Sequence, residues 1–296
     1  MSVLKQSGEK FKIAQFTDLH LDYLDDNGPE QKTLKLVRDC IRDEKPDLVV
    51  ITGDLVTSEA SAETIKGFSD VMTELKQPWA FVFGNHDREY GAPESVLEKI
   101  LTESEYCLFE PGDSDIKGSG NYCIEIKNAD NRLQWALYML DSGDYLRTDK
   151  CNGYAHIDIS QINWFKNHAK NLTAKGEYSS LFFFHIPLCE YNEIWEKKLS
   201  NGEKNEGICS PVLNSGLFSA MVESGNAKGV FVGHDHTNDF AGELYGVKLC
   251  YGRGSGFGAP KRGAYGKDGY KHGARMIVLD NDCFNTYIYF EDNTVL

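Results

Sequence analysis

Basic residues are scarce in this chain of 296 residues: 31 Lys and Arg stand against 45 Asp and Glu, for a net charge of −14. So acidic a surface repels the phosphate backbone on which nucleic-acid affinity mainly rests, and no nucleic-acid partner is expected. Long apolar runs are missing too. No window approaches the roughly 20 apolar residues that span a bilayer, so no membrane partner is expected. The opening MSVLKQSGEK lacks an apolar core of signal-peptide length, which leads to the expectation of a cytoplasmic, non-secreted chain. The eight cysteines (Cys40, Cys107, Cys123, Cys151, Cys189, Cys209, Cys250, Cys283) form no CxxC pair and no framework spacing. They read as small hydrophobes of a reducing compartment rather than a disulfide scaffold. No GKS or GKT follows the glycine-rich stretches, which excludes a Walker-type loop.

What is present is enough for a large core, with 41% apolar and 12% aromatic residues. Five short polar segments stand out: Asp18-x-His20, Gly53-Asp54, Gly84-Asn85-His86-Asp87, His185 and Gly233-His234-x-His236. Each follows a run that reads as a buried strand: residues 11–16, 48–52, 79–83, 181–184 and 228–232. Ligands gather where strands of an α/β fold end, because loops there bring distant residues into one crevice. Any one of these residues alone reads as a turn residue, a helix cap or a hydrogen-bonded core histidine. The ordered set asks for a joint explanation. Asp, Asn and His without Cys form a borderline-hard donor shell suited to Mn, Fe, Zn or Co. Two such cations roughly 3.5–4 Å apart need a shared anionic bridge. His156, His168 and His272 lie outside the set and read as ordinary polar residues.

At these residues the chain resembles the calcineurin-like metallophosphoesterase superfamily, whose pattern is D-x-H, GD, GNH(D/E), H and GHxH in that order. The resemblance implies an α/β fold, a β-sandwich of two mixed sheets flanked by helices, formed by a single domain over residues 1–296. It implies two divalent metal ions, Mn or Fe first and Zn or Co next. Asp18, His20 and His236 would hold the first, Asn85, His185 and His234 the second, and Asp54 would bridge both. It implies a metal-bridging hydroxide as nucleophile and His86 as acid, for which Asp87, next in sequence, is the expected orienting partner. The segment from Tyr251 to Gly258, with the later Gly273-Ala-Arg-Met276, is similar to a purple-acid-phosphatase-like clade. Purple acid phosphatases carry a tyrosine three residues after the bridging Asp. Here Thr57 holds that place, so no purple ferric centre is expected.

The expected reaction is phosphoester hydrolysis, first as a phosphomonoesterase acting on a phosphorylated small molecule or a phosphoprotein. A phosphodiesterase on cyclic nucleotides or another small diester is the alternative, and a catalytically silent scaffold the third reading. Residues 189–210, polar with embedded Tyr191 and Trp195, read either as a lid or as a solvent-facing helix. The glycine-rich segment 251–273 holds Arg253, Lys261, Arg262, Lys267 and Lys271, and Arg253 is the candidate to fork onto a substrate phosphate. Helices are predicted from Pro29 to before Pro46, over residues 60–76, from Pro93 to Thr102, over residues 160–170 and from Pro211 to Glu223. A hairpin is expected over residues 122–140, and a closing strand pair over 274–280 and 285–290.

Overall fold

The computed structural model describes residues 2–6, 8–22, 28–258, 266–267 and 269–296. A short edge strand β1 (Val3–Lys5) precedes β2 (Phe11–Phe16), after which strand and helix alternate through α1 (Pro29–Glu44), β3 (Leu48–Thr52), α2 (Ser61–Glu74), β4 (Trp79–Val82) and α3 (Glu94–Glu103). Then come β5 (Tyr122–Lys127), β6 (Leu133–Met139), a small hairpin of β7 (Tyr145–Arg147) and β8 (Asn152–Tyr154), α4 (Ile159–Thr173), β9 (Ser179–Phe183), α5 (Glu190–Glu196) and β10 (Ser200–Asn201). The chain ends with α6 (Leu217–Ser224), β11 (Ala227–Val232), β12 (Ala241–Leu244), β13 (Val247–Tyr251), β14 (Gly273–Asp280) and β15 (Cys283–Phe290).

Local chemistry sets several boundaries. Pro29 occupies the first turn of α1, where its fixed φ suits the helix and its missing N–H costs nothing, with Gly28 as the cap. Asn27, the other cap considered, lies outside the described residues. Asp158 and Gln161 form a reciprocal capping box at the start of α4. The last predicted helix begins six residues late, at Leu217 rather than Pro211. The Val212 N–H is taken by the Tyr154 carbonyl, and Gly216 at φ 81° turns the chain before the helix can start.

The strands form two mixed sheets. The five-stranded sheet has the order β15-β14-β2-β3-β4, and the eight-stranded sheet β1-β5-β6-β9-β11-β13-β12-β10. Both have a parallel centre, β2-β3-β4 in one and β6-β9-β11-β13 in the other. The fold is therefore the expected α/β sandwich with helices outside. The run Leu181–Phe184 shows how it is held. Leu181 and Phe183 enter the core between the sheets with Phe16, Ile51 and Phe81, while Phe182 and Phe184 face the opposite layer with Phe165 of α4 and Leu217 of α6. A strand covered on both faces is apolar throughout instead of alternating, and each large side chain buried there contributes roughly 1.5–3 kcal/mol. Among the described residues no helix is long and apolar enough to cross a membrane.

Candidate metal centre

The parallel strands of both sheets run to one edge, where five loops converge. Asp18 and His20 follow β2, Asp54 follows β3, Asn85 follows β4, His185 follows β9, and His234 and His236 follow β11. Four of these, Asp18 (φ 54°), His20 (φ 48°), Asp54 (φ 52°) and His234 (φ 80°), occupy the left-handed backbone region. L-residues with side chains rarely settle there, and such strain persists only where the surroundings over-determine it. The surroundings do. A Cβ on Gly84 would lie 2.2 Å from Asp54 Oδ1, so only glycine lets the two loops approach this closely.

Asp54 is the centre of the arrangement. Its Oδ1 accepts the His86 backbone N–H at 2.9 Å, and its Oδ2 lies 3.1 Å from His185 Nε2 and 3.8 Å from His20 Nε2. Two donor groups form around it: Asp18, His20, Asp54 and His236 in one, and Asp54, His185 and His234 in the other, with the atoms of each within 4.8 Å of one another. The Nε2 atoms of His20 and His236 face each other at 3.0 Å, and His234 Nδ1 meets His185 Nε2 at 3.3 Å. Asp18 is fixed by the His234 N–H at 3.1 Å and the Thr17 hydroxyl at 2.9 Å. His185 Nδ1 is bonded to the Thr52 carbonyl at 2.8 Å, which aims Nε2 at Asp54. Asn85 Oδ1, in a side chain that is almost fully buried, has no hydrogen-bond partner among the described residues. A buried amide oxygen left bare costs about 1–3 kcal/mol unless a donor or a cation engages it.

Electrostatics point the same way. Burial holds His20 and His234 well below the ordinary histidine range, as neutral ligands require. His185 behaves oppositely: burial, the largest single influence, works against its charge, but the Asp54 and Asp18 carboxylates and the Thr52 carbonyl together push it up to about 10. Asp54 in turn stays well below the carboxylate range despite burial, because His185 faces it. The proton on His185 supplies the positive charge that this anion demands, the demand that a divalent cation meets. Carboxylates, imidazoles and an amide oxygen converging in a buried pocket fit such a cation.

The sequence pattern of the calcineurin-like phosphoesterase family matches residues 11–238, three quarters of the chain. The chain belongs to that family. Among curated proteins it is 34% identical to "Probable inactive purple acid phosphatase 29" of Arabidopsis thaliana, over 92% of this chain and 77% of that protein. It is 36% identical to "Phosphatase DCR2" of Saccharomyces cerevisiae, over 83% of this chain and 48% of that one. A solved dimetal phosphatase from Danio rerio shares the fold with a TM-score of 0.58 at 16% identity, covering 93% of this chain and 98% of the other.

Two residues expected at the chemistry do other work. Asp87 does not touch His86. Its fully buried carboxylate turns inward and accepts backbone N–H groups of Gly84 (2.7 Å), Asp54 (2.9 Å) and Val56 (3.0 Å), tying the β3 and β4 loops together. Burial and the neighbouring Asp54 charge raise it to about 7, with the Gly84 and Val56 bonds opposing. The partner of His86 is Glu89, whose carboxylate takes His86 Nδ1. The turn that bonds Glu89 N–H to the His86 carbonyl puts residues three apart on one side.

Arg253 is the second correction. Its guanidinium is buried, bonds Asp239 at 2.7 Å and Glu203 at 3.3 Å, and lies 3.8 Å from the Tyr270 ring centre, while Nε donates to the Lys271 carbonyl. It cannot also grip a substrate phosphate. The glycines beside it serve packing: a Cβ on Gly256 would lie 2.4 Å from the carbonyls of both Asp18 and Leu19, so this strip backs the D-x-H loop. Lys267 bonds Asn205 and Lys271 bonds Asp292, while Lys261 and Arg262 lie outside the described residues. The 189–210 segment opens with the short helix α5, seated by buried Tyr191 and Ile194, and residues 195–199 face solvent. Tyr191 is fully buried and donates to the Val230 and Cys250 carbonyls, and Glu203 N–H is bonded by Asp239. Thr57 is buried, and its backbone N–H bonds the Leu21 carbonyl. Sequence reading missed Glu89, Tyr145 and Tyr154. Only Glu89 had a signal, the His-x-x-Glu spacing.

Proposed function

We propose that this chain is a dinuclear-metal phosphoester hydrolase, in the first place a phosphomonoesterase acting on a phosphorylated small molecule or a phosphoprotein. One observation carries the reading: Asp54 belongs to both donor groups, the position a bridging carboxylate must hold. Asp18, His20 and His236 would complete the first cation's shell, and Asn85, His185 and His234 the second's, with Mn or Fe preferred and Zn or Co next. When bound, such cations supply Lewis-acid polarisation of phosphoryl oxygens and a nucleophile at neutral pH.

The chain's own residues account for the rest. His86 is partly exposed at the mouth, its ring centre 5.5 Å from that of His20. With Nδ1 engaged by Glu89, Nε2 is the atom that can pass a proton to the leaving oxygen. Some relatives bear names that include the word inactive; the unbroken donor set and His86 support turnover in this chain. Because Arg253 is committed to Asp239 and Glu203, it does not serve a third terminal oxygen, and a small diester such as a cyclic nucleotide is the second reading.

The test is hydrolysis of p-nitrophenyl phosphate and bis(p-nitrophenyl) phosphate side by side, after chelation and Mn restoration, with Asp54→Ala as blank. Metal-dependent monoester preference is expected. Diester preference would replace it with the second reading, and silence on both with metal bound would leave the scaffold.

A further inference from the structure

The β7–β8 hairpin builds an aromatic wall that runs outward from the centre. Tyr154 meets the His234 ring edge-on at 4.3 Å between ring centres. Tyr145, opposite Tyr154 in the hairpin register, stacks on it at 5.4 Å with 24° between planes, and the Arg147 guanidinium lies 5.2 Å from the Tyr145 ring centre. Thus a metal ligand, two tyrosines and a cation follow one another from the interior to the surface.

This wall is anchored to the loop that carries His86. Asp141 accepts both guanidinium N–H groups of Arg88, at 3.2 and 2.6 Å, and also the N–H of Gly143 at the hairpin base. On its other side the hairpin holds residue 212 through the Tyr154 carbonyl. The Tyr145 hydroxyl is raised by its partial burial first and then by the charge of Glu89, the carboxylate that holds His86. Through Asp141 the aromatic surface is tied to the loop of His86, the group read above as the acid that serves the leaving oxygen.

A half-exposed tyrosine stack beside a polar centre has one obvious use. Flat rings prefer stacked or edge-on contact with another ring, worth about 0.5–1.5 kcal/mol beyond area burial, and aliphatic groups gain no such term. Arg147 adds a local cation at the mouth of a chain whose net charge is −14. Resting on the hydrolase reading above, we propose that the β7–β8 hairpin is the leaving-group wall and that the centre favours phosphate monoesters of flat aromatic alcohols, with Tyr145 as the specificity-determining residue.

The experiment compares Mn-loaded full-length protein with Tyr145→Ala and Tyr145→Phe, measuring metal content, binding of phenylphosphonate and methylphosphonate by calorimetry, and hydrolysis of phenyl and cyclohexyl phosphate. The wild type should bind phenylphosphonate the more tightly. Tyr145→Ala should weaken phenylphosphonate binding about tenfold and raise KM for phenyl phosphate similarly, with methylphosphonate binding and the cyclohexyl KM changed less than about twofold. Tyr145→Phe should retain the preference. Equal affinity for the two phosphonates in the wild type, equal losses in Tyr145→Ala, or loss of metal from that variant overturns the inference while leaving the hydrolase reading intact. No phosphonate binding and no ester turnover with two metals bound removes both.

Discussion

Asp54 and His86 stand one hydrogen bond apart, yet they belong to regions built on different terms. Around Asp54 most donors are sealed: His20, Asp54 and His185 are fully buried while His236 is a quarter exposed, four donors sit at positive φ, and backbone groups fix the carboxylates. At the mouth, His86 is 28% exposed, Glu89 33% and Tyr145 36%, with His86 held by Glu89 and Tyr145 stacked on Tyr154. The sealed region has one arrangement available to it. The mouth can change its residues without disturbing the interior, which is where a change of substrate would be written.

Removing the shared anion should do the most. Asp54→Ala is expected to lose turnover to background and to retain less than one metal per chain, measured by metal analysis beside a p-nitrophenyl phosphate assay. If that variant kept two metals, the interior would be less dependent on its centre than the geometry says. His86→Ala should lose about 10²–10⁴ in kcat while keeping its metals. Loss of metal there would erase the boundary between the two regions.

Arg253→Ala tests a site assigned to structure and not to substrate. Removing a buried ion-pair partner should cost about 3 kcal/mol in denaturant unfolding, with KM moving less than about twofold. A large KM change at unaltered stability would return Arg253 to substrate binding. A gentler probe of the interior is pH. His185 is raised to about 10 when no cation is bound, so a metal must displace its proton over the whole range below that value. The apparent Mn affinity should therefore fall as pH is lowered from 8 to 6, by up to about tenfold per pH unit, with proton release on binding seen by calorimetry in buffers of different ionisation heat. A flat profile would mean that the proton is not competing. The smallest effect belongs to the mouth: Glu89→Gln should lower kcat by roughly tenfold, with metal content and KM nearly unchanged.

The same division explains what could be read in advance. The interior was legible because each ligand lies within a few residues of a strand end, and the spacings D-x-H and H-x-H survive folding unchanged. The parallel run β2-β3-β4 followed from apolar runs with helical stretches between them, whereas the parallel centre of the larger sheet was not read in advance. Asp87 was misplaced because neighbours in a tight turn point apart: His86 goes outward and Asp87 inward. Arg253 was misjudged because a sequence displays its charge, whereas its partners Asp239 and Glu203 come from separate segments. Tyr145 and Tyr154 carried no periodic signal, since their pairing depends on a three-residue hairpin register.

One consequence follows from where the loops originate. Asp18, His20, Asp54 and Asn85 leave the five-stranded sheet, and His185, His234 and His236 leave the eight-stranded one. A cation shared among them would act as a rivet through the two halves of the sandwich. Occupancy at a hundred times the dissociation constant would add about 2.7 kcal/mol to the folded state. Metal supply would then govern how long each copy of the chain lasts as well as how fast it works, and starvation for the ion would deplete the protein itself.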